Sequence, residues 1–313
     1  MNNSAEPLVS IGLPVYNGEN YIEQAITSVM NQTYCNWELI ISDNNSTDHT
    51  PAICNKYLIN DGRIKYHCFE RNCGAAKNYN RTFELARGKY FKWLSHDDIL
   101  ESSIITKSVR ILETSPEVVI CGSQKKHIDA QGKLMQQYAL KEFNIQNKDP
   151  LLRYKWLLNI FVESTLHADF VFGLMRKEQL EKTHLIGNFA AADMVLLLEL
   201  ILKGKFYVID EPLFLRRIHK DISTLKPSDR TQLKGAAEIA AWFDPKGKIR
   251  HFPQFKWAWQ LTDHIRTNPP PDANKILLYI NTYRWALLKL SRYIKFRIKG
   301  VYAQVYSTLK ISF

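Results

Sequence analysis

The chain has 313 residues, 45% of them hydrophobic and 23% charged, which suits one sizeable α/β unit, with or without an appendage, and excludes disorder along its whole length. Five cysteines without a C-x-x-C pair argue against a disulfide framework or a zinc ribbon, and the polar start and lack of a run of about 18 uncharged apolar residues lead us to expect a cytoplasmic protein without a spanning helix. The net charge of +11 is uneven: residues 246–313 hold 13 Lys+Arg against 2 Asp+Glu, and the preceding residues are neutral.

In chain order, residues 8–13 form a short apolar run ended by Pro14 and predict a buried strand. Ile22, Ala25, Ile26 and Val29 then recur at helical spacing. Residues 37–42 predict a second strand ending at Asp43, and residues 46–58 a helix capped by Ser46 or Thr47. Residues 63–69 predict a third strand, 77–86 a third helix and 90–94 a fourth strand. A helix over 102–114, a strand over 118–121 and a hairpin turn near Gly132 follow. Strands are expected at 168–175 and 205–209, with an apolar helix at 193–202 between them. Beyond Asp244 the texture becomes aromatic and basic, with Pro245, Pro253 and Pro269-Pro270-Pro271 as punctuation. The expected organisation is therefore a domain over 1–244 and a basic helical C-terminal region over 245–313.

Alternating strands and helices imply a parallel sheet covered by helices. Such sheets bind ligands beyond the C-terminal ends of their strands. Three polar or turn-forming clusters stand at such ends: Pro14-Val15-Tyr16-Asn17, Asp43-Asn44-Asn45 and Ser95-His96-Asp97-Asp98. Adjacent carboxylates at a strand end are suited to a hard divalent cation that neutralises a diphosphate. Taken alone, Asp97-Asp98 reads equally as a helix N-terminus. Asp43 can accept a hydrogen bond from a base N–H, while residues 44–48 also form an ordinary Asx turn and helix cap.

The successive segments VSIGLPVYNGENYIEQAITSVMNQTY, WELIISDNNSTDHT and RNCGAAKNYNRTFELARGKYFKWLSHDD resemble the opening of a family 2 glycosyltransferase, and a weaker likeness runs to His219. The resemblance implies an α/β fold of GT-A type: a mostly parallel nucleotide-binding sheet flanked by helices, here followed by the basic tail. It implies a nucleotide-sugar site made by Pro14, Val15, Tyr16, Asn17, Asp43, Asn45, Arg71, Lys77 and Asp97. It implies metal binding by Asp98 and Asp97, with Mg²⁺ or Mn²⁺ as the ion, although Ser95 stands where the commonest form of the motif has Asp. Asp193 matches the catalytic base. His219 matches a diphosphate or metal contact, with Arg216 or Arg217 as phosphate partners. The activity implied is inverting sugar transfer from a nucleotide-sugar donor to a saccharide or lipid-linked acceptor, in cell-surface polysaccharide or glycolipid synthesis.

In the tail, Ile276, Ile280, Tyr283, Leu287, Leu290, Ile294 and Ile298 recur at three- and four-residue steps beside Arg284, Arg292, Lys295 and Lys299. Such a helix either lies on an anionic membrane or packs its apolar stripe on the catalytic domain. The alternatives carry less of the sequence. A nucleotidyltransferase or a dehydrogenase wants a Gly-rich loop after the first strand, which residues 13–18 do not provide. A nucleic-acid module fits poorly with a neutral first 245 residues, so no nucleic acid is expected as a partner. A donor-binding protein without transferase activity keeps the same residues.

Overall fold

Strands β1 (Val9–Val15) and β2 (Trp37–Asp43) are buried at every position, as strands covered by helices on both faces must be. The structure, a computed structural model, describes residues 6–138, 144–163, 166–220, 241–245, 253–271 and 273–310. Helix α1 (Ile22–Met30) leads from β1 to β2 and buries Ile22, Ala25, Ile26 and Val29. Helix α2 (Thr50–Asn60), strand β3 (Ile64–Cys68), helix α3 (Ala75–Glu84) and strand β4 (Tyr90–Trp93) follow. The pairs β2–β3, β1–β2 and β1–β4 are all parallel, so this half of the sheet is the one expected from sequence.

The second half is mixed. A two-residue strand β5 (Ile99–Leu100), helix α4 (Ile104–Thr114), and the hairpin of β6 (Val118–Ile128) with β7 (Leu134–Tyr138) come next. Helix α5 (Pro150–Glu163), strand β8 (Leu174–Arg176), the short helix α6 (Lys177–Leu180), helix α7 (Ala192–Lys203) and strand β9 (Lys205–Arg217) complete it. The sheet order is β3-β2-β1-β4-β8-β6-β9-β5, with β7 paired to β6. Strand β8 runs antiparallel to both β4 and β6 and joins the halves.

Three expectations change. Most of the strand expected over 168–175 is a 3-10 helix, Leu166–Phe172, and only Leu174–Arg176 pairs in the sheet. Phe170 and Val171 are buried in either geometry, so apolarity alone does not separate the two. The turn closes when Gly173 N–H donates to Phe170 O at 2.9 Å. Strands β6 and β9 both run well past their expected ends, because they pair in parallel across a register shift around Gln124 and Pro212 that lets polar residues continue the ladder.

The tail also differs. Helices α8 (Pro253–Thr267) and α9 (Lys275–Lys310) insert Trp257, Leu261, Ile265, Leu278, Trp285 and Ala286 into the same core as α5 and α7. Burying each such leucine or isoleucine contributes about 1.5–3 kcal/mol. Tyr154 and Thr282 share a buried hydrogen bond of 2.7 Å across that seam. The packed face of α9 is thus Leu278, Thr282, Trp285 and Ala286. The stripe singled out in the sequence is the outer face: Ile276, Ile280, Tyr283, Leu287 and Ile294 are exposed. The tail has two apolar faces, and the longer-stepped one is not the one that packs. Ile298 lies where side chains are outside the described residues.

Helix α7 is buried almost all round, as a helix sandwiched between sheet and cap requires. It carries Asp193 at its N-terminal turn and Glu199 further along.

Candidate active site

Strand β1 lies between β2 and β4, with Val15 opposite Asp43 and Gly12 opposite Trp93. The register therefore sets the three polar clusters along one edge of the sheet. Gly18 keeps that edge tight, since a Cβ there would stand 2.6 Å from Val15 Cγ2 and 2.8 Å from His96 Cδ2.

At the first two strand ends, the polar groups hold each other. Asp43 is fully buried. Its Oδ1 accepts from Ser46 N–H at 2.8 Å and Ser46 Oγ at 2.6 Å, and its Oδ2 accepts from Tyr66 O–H at 2.5 Å. Burial and this carboxylate together push the Tyr66 hydroxyl far above its usual range. Asn17 and Asn45 adopt left-handed backbone, at φ 51° and 66°, which asparagine tolerates better than most residues. Asn17 N–H donates to Ser46 Oγ at 2.9 Å, and Asn17 Oδ1 accepts from Thr47 N–H at 2.9 Å. Tyr16 is exposed over this edge, whereas Pro14 and Val15 are buried within β1. Pro14 and Val15 therefore shape the edge through their backbone, and the Val15 carbonyl is already taken by Asn44 N–H and Asn78 Nδ2.

The third cluster is braced from across the sheet. Arg217, at the end of β9, is fully buried. Its N–H donates to Asp98 Oδ1 at 3.0 Å and its Nε to Asp97 O at 2.9 Å. Its remaining donors reach Asp129 O, Ala130 O and Gln24 Oε1. Arg217 is thus a structural brace and not the phosphate partner considered from the sequence. His219 Nε2 lies 3.0 Å from Asp97 Oδ2, and the His219 ring packs against Tyr21 with centroids 4.8 Å apart and the planes tilted by 50°. Burial raises the Asp97 carboxyl, but the contacts with His219, His96 and Ser95 outweigh it and hold the group well below the usual carboxylate range. Asp98 goes the other way, pushed well above that range by burial and then by the Asp97 charge. Asp97 and Asp98 are thus adjacent buried carboxylates with an imidazole beside Asp97, and carboxylate and imidazole are donor types that divalent cations accept.

Asp193 lies in the first turn of α7. Burial raises its carboxyl, the Asp169 charge adds to that, and the Met194 N–H at 2.9 Å partly offsets it. Tyr79, on α3, is raised by burial and then by the charges of Asp97, Asp98 and Asp193, so one phenol senses all three carboxylates. Asp169 was missed in the sequence reading. It ion-pairs with Arg216 at 2.5 Å and with the buried Lys125, and its charge acts on both Asp98 and Asp193. Arg216 is therefore shared between Asp169 and the two motif carboxylates, whose charges hold its guanidinium above its usual range against burial. Only a strand-end Arg and an Asp between apolar residues mark this pair in the sequence.

Arg71 and Lys77 stand apart from that cluster, exposed in the loop before α3 and on its first turn. The loop itself is ordered by Asn72, whose Oδ1 accepts from Gly74 N–H and Asn44 Nδ2, both at 2.9 Å. Gly74 needs φ 87° there, and a Cβ would meet Phe243 O at 2.5 Å.

The model of glycosyl transferase family 2 matches residues 10–192, more than half of the chain, and the chain belongs to that family. An uncharacterized glycosyltransferase of Rickettsia typhi is 40% identical over 133 residues, which cover 40% of this chain and 40% of that protein. The putative teichuronic acid biosynthesis glycosyltransferase TuaG of Bacillus subtilis is 38% identical over 107 residues, 34% of this chain and 42% of TuaG. The matched part thus spans less than half the length of either relative. Among solved structures, S. aureus TarS bound to UDP-GlcNAc superposes with a TM-score of 0.56 at 19% identity, covering 83% of this chain and 81% of that one. The shared fold is the GT-A type expected from the sequence.

Proposed function

We propose that the chain transfers a sugar from a nucleoside-diphosphate donor to a saccharide or lipid-linked acceptor with inversion at the anomeric carbon, in cell-surface polysaccharide or glycolipid synthesis. Support for this comes from the family match over residues 10–192 and from the buried Asp97 and Asp98 beyond β4, held by His219 and the Arg217 N–H. UDP-GlcNAc in TarS and the teichuronic acid name of TuaG support the substrate class.

In this reading, the base and ribose lie along Pro14, Val15, Tyr16, Asn17, Asp43 and Asn45, with Arg71 and Lys77 approaching the diphosphate. Asp97, Asp98 and His219 would hold Mg²⁺ or Mn²⁺, which when bound supplies positive charge against the departing diphosphate. Asp193 accepts the proton of the acceptor hydroxyl. The acceptor oxygen forms a bond to the anomeric carbon as the bond from that carbon to the diphosphate oxygen breaks, and the nucleoside diphosphate leaves with the electron pair. A carboxyl raised toward neutral pH is a stronger base than an ordinary one, provided that it is ionised at the working pH. The outer face of α9, with Ile280, Tyr283 and Leu287 beside Arg284 and Arg292, suits an anionic membrane surface that would present a lipid-linked acceptor.

A thermal-shift panel of UDP-, GDP- and dTDP-sugars with and without Mn²⁺ tests the reading. One donor class should raise Tm, and chelation of the metal should abolish the shift. No shift with any nucleotide sugar in the presence of metal would sink it. Donor binding with no turnover on any glycan or lipid-linked acceptor would leave a binding protein in its place.

A further inference from the structure

Away from the strand ends, a second group of ligating side chains lies where the helical cap meets α7. Glu199, on α7, is fully buried, as is His264 on α8. His184, in the loop after α6, closes the group from the partly exposed side. One donor atom from each of the three residues lies within 4.8 Å of the others. His184 Nδ1 is 2.9 Å from Glu199 Oε1, and His264 Nδ1 is 3.6 Å from Glu199 Oε2. Neither ring nitrogen of His264 has a hydrogen-bond partner. Leaving such a group bare in a protein interior is costly, so the ring calls for a ligand that the protein does not supply.

We propose that His184, Glu199 and His264 bind a zinc-type divalent cation that fastens the helical cap to α7, separately from any metal at Asp97 and Asp98. Two imidazoles and one carboxylate form a donor set common for Zn²⁺ and poor for Mg²⁺ or Ca²⁺, which want oxygen. Ligand atoms around a tetrahedral zinc stand about 3.4 Å apart at normal bond lengths, and the separations of 2.9 and 3.6 Å straddle that value. The supporting contacts are those of a metal site. Asp263 Oδ2 lies 3.3 Å from His184 Nε2, which orients the ring with Nδ1 inward, and Gln260 Nε2 donates to Glu199 Oε1 at 3.0 Å. The bond to Glu199 raises His184. The half-exposed His184 side leaves room for water as a fourth ligand.

The test uses untagged full-length protein stripped with a chelating resin, titrated with Zn²⁺ and separately with Co²⁺. The expected result is one tight zinc per chain, a rise in Tm with zinc, and visible Co²⁺ absorption bands of a low-coordinate nitrogen–oxygen site. The double variant D97N/H219A should keep that zinc, and Glu199→Gln and His264→Gln should lose it. Should the core variants fail to fold, Asp263→Asn touches no ligand atom directly and should weaken zinc binding about 10–100-fold. Zinc that stays equally tight in Asp263→Asn, zinc lost only in D97N/H219A, or no zinc in the wild type would each overturn the proposal. In the last case the cluster is a buried His184–Glu199 ion pair, and its stability contribution would fade as pH rises through the raised His184 pKa.

Discussion

At the strand ends, Asp43 and Asp97 have one partner close by in the chain, while Tyr66, His219 and Arg217 reach Asp43, Asp97 and Asp98 from further away. Ser46 caps Asp43 from three residues away, and Ser95 reaches Asp97 from two. In the cap, Glu199 is equally buried, but its partners come from two other segments, His184 from the loop after α6 and Gln260 and His264 from α8. The first region is pre-arranged by sheet register, so its carboxylates can stay strained and available. The second is assembled only when α8 docks, so its carboxylate ties elements together.

The sharpest way to break that comparison is at Asp193, in the first turn of α7. Asp193→Asn should lower turnover by about 10²–10⁴-fold with an unchanged urea midpoint. In the wild type, activity should fall as pH drops through the raised Asp193 pKa, and residual activity in the variant should lose that limb. A variant that retains turnover would leave Asp193 as a helix-end carboxylate and no more. Next in size is Arg217→Met. It strands the carbonyls of Asp97, Asp129 and Ala130, and should cost roughly 3 kcal/mol of unfolding free energy. Donor-dependent thermal shift should weaken with it, because the brace positions the Asp97–Asp98 loop.

Legibility in the sequence follows the same division. The four parallel strands, their helices and the clusters at residues 14–17, 43–45 and 95–98 were readable because each motif is local and β1 and β2 are mostly apolar. Asp193 and His219 came from family resemblance and not from spacing. Asp169 was hidden inside a segment expected as strand, where Ala168 before it and Phe170 and Val171 after it mask a turn. The His184–Glu199–His264 group has no local signature at all, since Glu199 stands 15 residues after His184 and His264 lies on α8. The tail misled for another reason. Both faces of α9 carry apolar residues, so periodicity identified a helix but could not say which face packs.

A smaller effect is expected at Glu38, a second buried carboxylate of the strand region that has no part in the proposed chemistry. It accepts from Ser10 Oγ at 2.6 Å and from Arg87 N–H at 2.8 Å, with the Arg87 guanidinium at 2.7 Å. Burial raises its carboxyl, but these bonds outweigh it and lower the pKa overall. The stabilisation is therefore present above the unfolded value of about 4.3 and is lost as pH falls through the lowered folded value. Glu38→Gln should cost about 1–2 kcal/mol at pH 7. The gap between the two proteins should close in urea titrations at strongly acidic pH. A gap independent of pH would assign the loss to shape and not to charge.

The smallest effect on folding is expected on the outer face of α9, where the cap meets solvent. Leu287 is 62% exposed and Ile280 55%, so Leu287→Glu and Ile280→Glu should each change unfolding free energy by no more than about 0.5 kcal/mol. Trp285, on the opposite face and 2% exposed, should behave oppositely, with Trp285→Ala costing about 3–5 kcal/mol. If the outer face rests on anionic lipid, the two glutamate variants should lose co-sedimentation with phosphatidylglycerol vesicles and the wild type should lose it in high salt. Vesicle binding unchanged in both variants would remove the membrane from the proposal, and the exposed stripe would then need a protein partner to explain it.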